Sequence, residues 1–343
     1  MHKVTAEQLN ALPQSEYSMI DIRDIPENLS QDKLLVFHCR KGEISEQIAT
    51  EWRQKGYNAV HLEGGYAKWV LSQVQADNHA KIELSIRKKF HKPIFSRFTK
   101  AVKQYQLVQE NDKIAVCISG GKDSMLMAKL FQELQRHKKV NFSLSFLCMD
   151  PGYDTKNRVQ IEHNAKKLDI PIDFFNTDIF ANIENIEKSP CYLCARMRRG
   201  HLYAEAQKRG CNKIALGHHF DDVIETILMG MLYGSQVQTM MPKLKSKNFN
   251  GMELIRPMYL VREANIKHFQ RYHGLEFLQC ACRITKSPGS SKRAEIKALI
   301  QELKKTNPDV DKNIFSSVEN VNLGAIISYK QNSKVTHFLD NYL

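Results

Sequence analysis

The chain has 343 residues, 42% hydrophobic and 25% charged, which is enough for two domains with cores of their own. No apolar run approaches the roughly 18 residues of a membrane span, and MHKVTAEQLN has no apolar signal core, so a cytoplasmic protein with no membrane partner is expected. Formal net charge is +13, yet residues 1–78 carry 8 Lys+Arg against 11 Asp+Glu, so the basic excess lies in the remainder and predicts a polyanionic partner for that part. Eight cysteines in a reducing compartment do not read as a disulfide framework. Cys117 and Cys148 sit in apolar strand-like runs and Cys211 follows a helix, so all three read as buried small hydrophobes.

In chain order, MIDIR (19–23) and LLVFHC (34–39) read as strands, ISEQIATEWRQKG (44–56) as a helix and AVHL (59–62) as a strand. A second helix begins at GGYAKWVLSQV, and strands alternating with helices predict parallel pairing in a small α/β unit over 1–78. Cys39-Arg40-Lys41-Gly42-Glu43-Ile44-Ser45 follows a strand and opens a helix. A thiol placed there meets two cations, backbone N–H groups and a helix dipole, all of which stabilise a thiolate or persulfide. Residues 79–110 read as a basic helical connector. Eight Lys/Arg fall between Lys81 and Lys103 against Glu83 alone, and Phe90, Ile94, Phe95 and Phe98 form an apolar face broken by Pro93. The expectation is that this face lies along nucleic-acid phosphates, with Lys88 and Lys89 among the contacts.

The most informative stretch is KIAVCISGGKDSMLMAKLFQELQ. An apolar strand over 114–118 stops at Ser119-Gly120-Gly121-Lys122-Asp123-Ser124, and a helix follows over about 123–136. The glycines can take φ > 0 and let the backbone approach an anion, which the first helical N–H groups and the helix dipole then face. Ser119 and Ser124 supply hydroxyls and Lys122 supplies charge. Further strands are predicted at 142–149, 172–176 and 213–217, with helices near 156–168, 196–209, 221–232 and 263–273. This pattern predicts a doubly wound parallel sheet over 111–322 that binds its ligand at the carboxyl ends of the strands, where Asp150 and Gly217-His218-His219 lie. SPGSSKR (287–293) reads as a basic loop, and 323–343 as a tail with no usable signal.

Cys191 and Cys194 form a CxxC after Pro190, with Arg196, Arg198 and Arg199 following on a helix, and Cys280 and Cys282 come later as a CxC. Two readings stay open: four cysteines closing a structural zinc site, or three holding an iron–sulfur cluster with one iron open.

SGGKDS resembles the signature of the PP-loop ATPases (adenine nucleotide alpha hydrolase-like enzymes), which split ATP between the α and β phosphates and adenylate a substrate oxygen. SGGKDS, PCYLCARMRRGHLY, KIALGHHFDD and IRPMYLVRE, in that order, resemble the TtcA family of tRNA 2-thiocytidine synthetases over about 85–322. That resemblance implies a 4Fe–4S cluster on Cys191, Cys194 and Cys280, with Cys282 as the alternative third ligand. It implies ATP phosphates on Ser119 to Ser124, Mg²⁺ on Asp123, and Asp150 near the adenosine. It also implies that His218, His219, Asp221 and Asp222 line the nucleotide and reaction cleft, the two aspartates with a catalytic role. Arg196, Arg198 and Arg199 are then expected on the RNA backbone. Asp21-Ile22-Arg23, the Cys39 loop and LEGGYAKW (62–69) resemble a rhodanese domain whose segment between Arg23 and Cys39 is truncated.

The resulting expectation is a fused α/β enzyme. Cys39 takes a sulfane sulfur from a cysteine desulfurase or another donor, ATP adenylates the C2 oxygen of an anticodon-loop cytidine in tRNA, and sulfur held at the cluster replaces AMP. A tRNA 2-thiouridine or 4-thiouridine synthetase, a non-catalytic tRNA-binding protein with structural zinc, and a free-standing thiosulfate sulfurtransferase are the alternatives. A homodimer is compatible with all of these.

Overall fold

The computed structural model describes residues 2–177, 179, 190–277, 292–332 and 334–342, and at 75–77, 190–195 and 341 the backbone alone. Met1–Leu84 and Ser85–Leu343 form two compact units. Among the described residues no helix is long and apolar enough to cross a membrane.

The first unit is built on a parallel sheet of β1 (Lys3–Val4), β2 (Tyr17–Asp21), β3 (Leu34–His38) and β4 (Ala59–Leu62), in the order β1-β4-β3-β2. Its central strands β3 and β4 are buried at successive positions because both faces are covered. Val36 packs with Val4, Leu9, Val60 and Leu62 on one face, while Leu35 and Phe37 pack with Ile20, Ala49 and Ala59 on the other. Three helices supply the covers: α1 (Ala6–Asn10), α2 (Ser45–Gln54) and α3 (Gly65–Arg87). The short β1 and α1 were not expected, although Thr5 and Gln8 form a reciprocal capping box. A single helix, α3, runs through the boundary expected at 78/79.

The connector beyond α3 contains a π-helical turn at His91–Phe95 and α4 (Ser96–Gln104). Here one expectation is corrected. Phe90, Ile94, Phe95 and Phe98 are buried, so this face belongs to the core and cannot lie along phosphates. Phe90 meets Phe269 edge-on at 5.2 Å, and Phe98 meets Phe131 edge-on at 5.4 Å. The basic side chains remain outside, Lys88, Lys89 and Arg97 included. The aromatics go inward because burying each ring is worth about 1.5–3 kcal/mol, more than an exposed ring returns.

The second unit carries a six-stranded sheet of β5 (Asp112–Ile118), β6 (Phe142–Asp150), β7 (Ile172–Asn176), β8 (Lys213–Ala215), β9 (Lys243–Lys245) and β10 (Glu253–Ile255), in the order β7-β6-β5-β8-β10-β9. The order reverses direction between β5 and β8, which opens a crevice at their carboxyl ends. The sheet is parallel except for the outermost strand, β9, which pairs antiparallel with β10. Between and after the strands come α5 (Lys122–Arg136), α6 (Thr155–Leu168), α7 (Pro190–Lys208), α8 (Phe220–Gly234), α9 (Glu263–Tyr272), α10 (Lys292–Thr306) and α11 (Val310–Ser317). The tail that offered no signal forms a hairpin of β11 (Ser328–Gln331) and β12 (Lys334–His337). One polar anchor lies inside the core: the buried Lys213 ammonium donates to Asp112 at 2.6 Å and to the Leu107 carbonyl at 3.1 Å.

Candidate active site

The crevice between β5 and β8 contains a cleft of about 370 Å³, lined by Ser119, Asp123, Tyr153, Arg198, Arg199 and His218 among others. Its floor is the turn after β5. Gly120 takes φ +78°, and Gly121 is the N-cap of α5 with no side chain capping the helix. The α5 N-terminus is thus presented to the cleft without an internal acceptor, which suits an anion. The two serines brace the turn. The Ser119 N–H donates to Ser124 Oγ at 3.1 Å, the two hydroxyls lie 3.1 Å apart, and Ser124 Oγ donates to the Gly121 carbonyl at 3.0 Å.

The β8 side approaches this turn closely. A Cβ on Gly217 would lie 3.1 Å from the Ser124 nitrogen and 3.2 Å from the Asp123 carbonyl carbon, so glycine is what lets the two strand ends meet. His219 caps α8, its Nδ1 accepting from the Asp222 N–H at 3.4 Å while Asp222 accepts from the His219 N–H at 2.9 Å. Asp221 accepts the Glu263 N–H at 2.7 Å and Asp222 pairs with Arg293 at 3.1 Å. His218 lines the cleft with a buried Nδ1 that has no hydrogen-bond partner. Burial, followed by the Arg256 charge, holds its imidazole down to about 4, so the ring is neutral near pH 7.

Asp123 is split between two tasks. One oxygen accepts from Lys122 at 2.9 Å, and the other, Oδ1, is buried without a hydrogen-bond partner, 3.8 Å from His219 Nε2. A buried carboxylate oxygen left open beside an anion-binding helix end fits a hard divalent cation. Asp150 stands at the end of β6 as expected, but its carboxylate is engaged. It accepts from Gly152 and Tyr153 N–H at 3.0 and 2.8 Å and pairs with Arg158 at 2.9 Å. Burial pushes this carboxyl up, and those donors outweigh it, so the net shift is downward. Asp150 therefore shapes the turn that carries Tyr153 into the cleft.

In the first unit, Cys39 heads the turn between β3 and α2. Its Sγ accepts from the Gly42 N–H at 3.0 Å, and Ser45 Oγ bonds the Gly42 carbonyl at 3.2 Å. Burial pushes the thiol up, but the Ser45, Ile44 and Gly42 N–H groups with the Ser45 hydroxyl outweigh it and bring it to about 7. The turn packs on Gly64-Gly65, where a Cβ on Gly65 (φ +69°) would meet the Cys39 carbonyl at 2.5 Å. Between Asp21 and Leu34 the described residues hold no helix or strand, in keeping with the truncation read from the sequence.

Comparison with known proteins places both units. Residues 91–283 match the PP-loop domain family and residues 5–72 the rhodanese-like domain family. The tRNA-cytidine(32) 2-sulfurtransferase of Paraburkholderia xenovorans is 34% identical over 248 residues, covering 71% of this chain and 72% of that protein. The enzyme of the same description from Citrifermentans bemidjiense is 33% identical over 231 residues, 66% of this chain and 90% of that protein. The chain belongs to the PP-loop tRNA-cytidine 2-sulfurtransferase family. A U34-tRNA thiolase from Methanococcus maripaludis, solved with its [4Fe-4S] cluster, shares the fold at a TM-score of 0.52 and 22% identity, over 65% of this chain and 76% of that one.

For this family member, Cys191 and Cys194 lie in the first two turns of α7, the helix whose Arg198, Arg199 and Leu202 line the cleft. At ~1.5 Å per residue, Cys194 is about 6 Å along the helix from Arg198. Cys280 and Cys282 lie outside the described residues. Arg196 is exposed. Lys89 sits 3.8 Å over the Tyr272 ring, and Lys88 is exposed. Residues not anticipated include Tyr153, Glu263 and Arg293. Only Glu263 had a signal, as the last residue of IRPMYLVRE.

Proposed function

We propose that this chain is an ATP-dependent tRNA sulfurtransferase of the cytoplasm that replaces the C2 oxygen of an anticodon-loop cytidine with sulfur. The observation that carries this reading is the shared cleft: an uncapped helix end behind SGGKDS on one side and the helix of the CxxC on the other. In this reading the N–H groups at the start of α5, the Ser119 hydroxyl and Lys122 hold the triphosphate, while Ser124 braces the turn beneath it. The C2 oxygen attacks the α-phosphorus, pyrophosphate leaves, and C2 then carries a good leaving group. A sulfur nucleophile displaces AMP, which departs with the original oxygen. Asp123 Oδ1 would hold Mg²⁺, which neutralises the phosphates. His218, neutral and open at Nδ1, is suited to exchange a hydrogen bond with the substrate. Asp221 and Asp222 act through the elements they hold in place, α9 and α10.

Cys191, Cys194 and one of Cys280 or Cys282 would hold a 4Fe–4S cluster, which when bound supplies an open iron for sulfur. The Cys39 turn supports a persulfide relay, since a thiol near 7 both accepts a sulfane sulfur and releases it. Arg198 and Arg199 in the cleft wall, with Lys88 and Lys89 outside it, would meet tRNA phosphates.

The test is mass spectrometry of tRNA nucleosides from a deletion strain and its complemented control. Loss and rescue of 2-thiocytidine is expected. Loss of a thiouridine instead would change the substrate, and an unchanged thionucleoside profile would sink the reading. Zinc without inorganic sulfide in the purified protein would replace the cluster with a structural metal.

A further inference from the structure

Lys122 has a second carboxylate partner outside its own turn. Glu263, the first residue of α9, is 141 positions further along the chain, and its Oε1 lies 3.3 Å from Lys122 Nζ. The Glu263 N–H is bound to Asp221, which ties this helix start to the first turn of α8. Its other oxygen takes Lys297 at 2.6 Å and Lys267 at 3.1 Å. Three ammonium groups therefore converge on one carboxylate. The carboxylate is largely shielded, with 14% of its side chain exposed, while Lys267 and Lys297 are about half exposed. Burial pushes the Glu263 carboxyl up, but Lys297, Lys267 and Lys122 outweigh it and bring it to about 2, so it is ionised throughout the working range.

A bare carboxylate this close to a phosphate-binding ammonium would repel the nucleotide. Lys267 and Lys297 remove that objection, because they neutralise Glu263 from the far side, so that the three ammoniums against Glu263 and Asp123 keep a net charge of +1. A lysine has a flexible four-carbon stem, so an ammonium fixed by a buried acceptor loses less freedom on meeting its ligand. We infer that Glu263 is a positioning residue for Lys122, holding its ammonium over the 119–124 turn for the β and γ phosphates of ATP. This rests on the reading of that turn as the triphosphate site.

The experiment is equilibrium binding of MgATP and, separately, AMP to the full-length protein. The variants are Lys122→Met, Glu263→Gln and the double substitution, with Glu263→Asp as the conservative partner. Glu263→Gln is expected to weaken ATP binding about tenfold and to leave AMP within about twofold, since AMP lacks the phosphates Lys122 serves. Glu263→Asp should fall between wild type and Glu263→Gln, and it carries the test if the glutamine variant fails to fold. The double variant should bind ATP no worse than Lys122→Met. Unchanged or tighter ATP binding by Glu263→Gln, equal losses for ATP and AMP, or losses that multiply in the double variant would each overturn the inference. If Lys122→Met itself left ATP binding intact, the triphosphate reading of the turn would fall first.

Discussion

Cys39 and Gly217 carry the sharpest consequences at the scale of single residues. With its thiol at about 7, Cys39 is half thiolate near neutrality, and roughly a tenth thiolate one pH unit below that. Its alkylation by iodoacetamide, taken as the difference between wild type and Cys39→Ser, should show a midpoint near pH 7; a midpoint above 8 would remove the argument for a relay thiol. Gly217→Ala should weaken ATP binding by about tenfold and cost about 1–3 kcal/mol in folding, because the new methyl presses on the Ser124 nitrogen beside the α5 helix end. Direct ATP titration of that variant decides it. The turn residues were legible because SGGKDS is local: one short stretch supplies the turn, the cap and the charge. Glu263 was not legible as a partner of Lys122, since nothing in a linear chain relates two residues that meet only when α9 docks beside the turn.

Among the elements, β8 depends on one buried ion pair. Lys213→Met would leave the Asp112 carboxylate buried with only neutral donors, the Asn212 amide at 2.8 Å and the Gln109 N–H at 2.6 Å, and should cost about 3–5 kcal/mol in chemical denaturation. The reverse charge deletion, Asp112→Asn, should cost a similar amount, whereas a loss under 1 kcal/mol in both would show that the pair is dispensable. The long β5, β6 and α5 were readable from the sequence because each buries enough apolar side chains to set a period. By contrast, β9 and β10 are three residues each and cannot show one. The connector misled for another reason: its charge density and its aromatic face are both real, but they belong to opposite sides of the same helices. Composition alone cannot say which side meets the core.

On the scale of the whole molecule, a net charge of +13 predicts tRNA affinity that falls steeply with salt. Lys88→Ala and Lys89→Ala should each reduce the slope of log affinity against log salt by roughly 0.7–0.9, and unchanged slopes would remove both from the interface. Stability should also fall with acid. Burial, then Lys167 and Lys89, hold His273 down to about 4, and His218 is held at about 4 as well, so both stay neutral in the fold. Unfolded histidine takes its proton near 6.5, so the unfolded chain binds more protons between about 6.5 and 4, and stability declines as pH falls through that window. A melting temperature flat from pH 7 to 4 would contradict this. The outermost strand adds a different kind of consequence. β9 reads Lys243-Leu244-Lys245, three residues with a charge at each end. A sheet margin that short and that cationic gives a neighbouring molecule almost no backbone to pair with. This border of the nucleotide-binding sheet is thereby guarded against edge-on aggregation, and replacing both lysines by threonine should shorten the time the purified protein stays clear at high concentration.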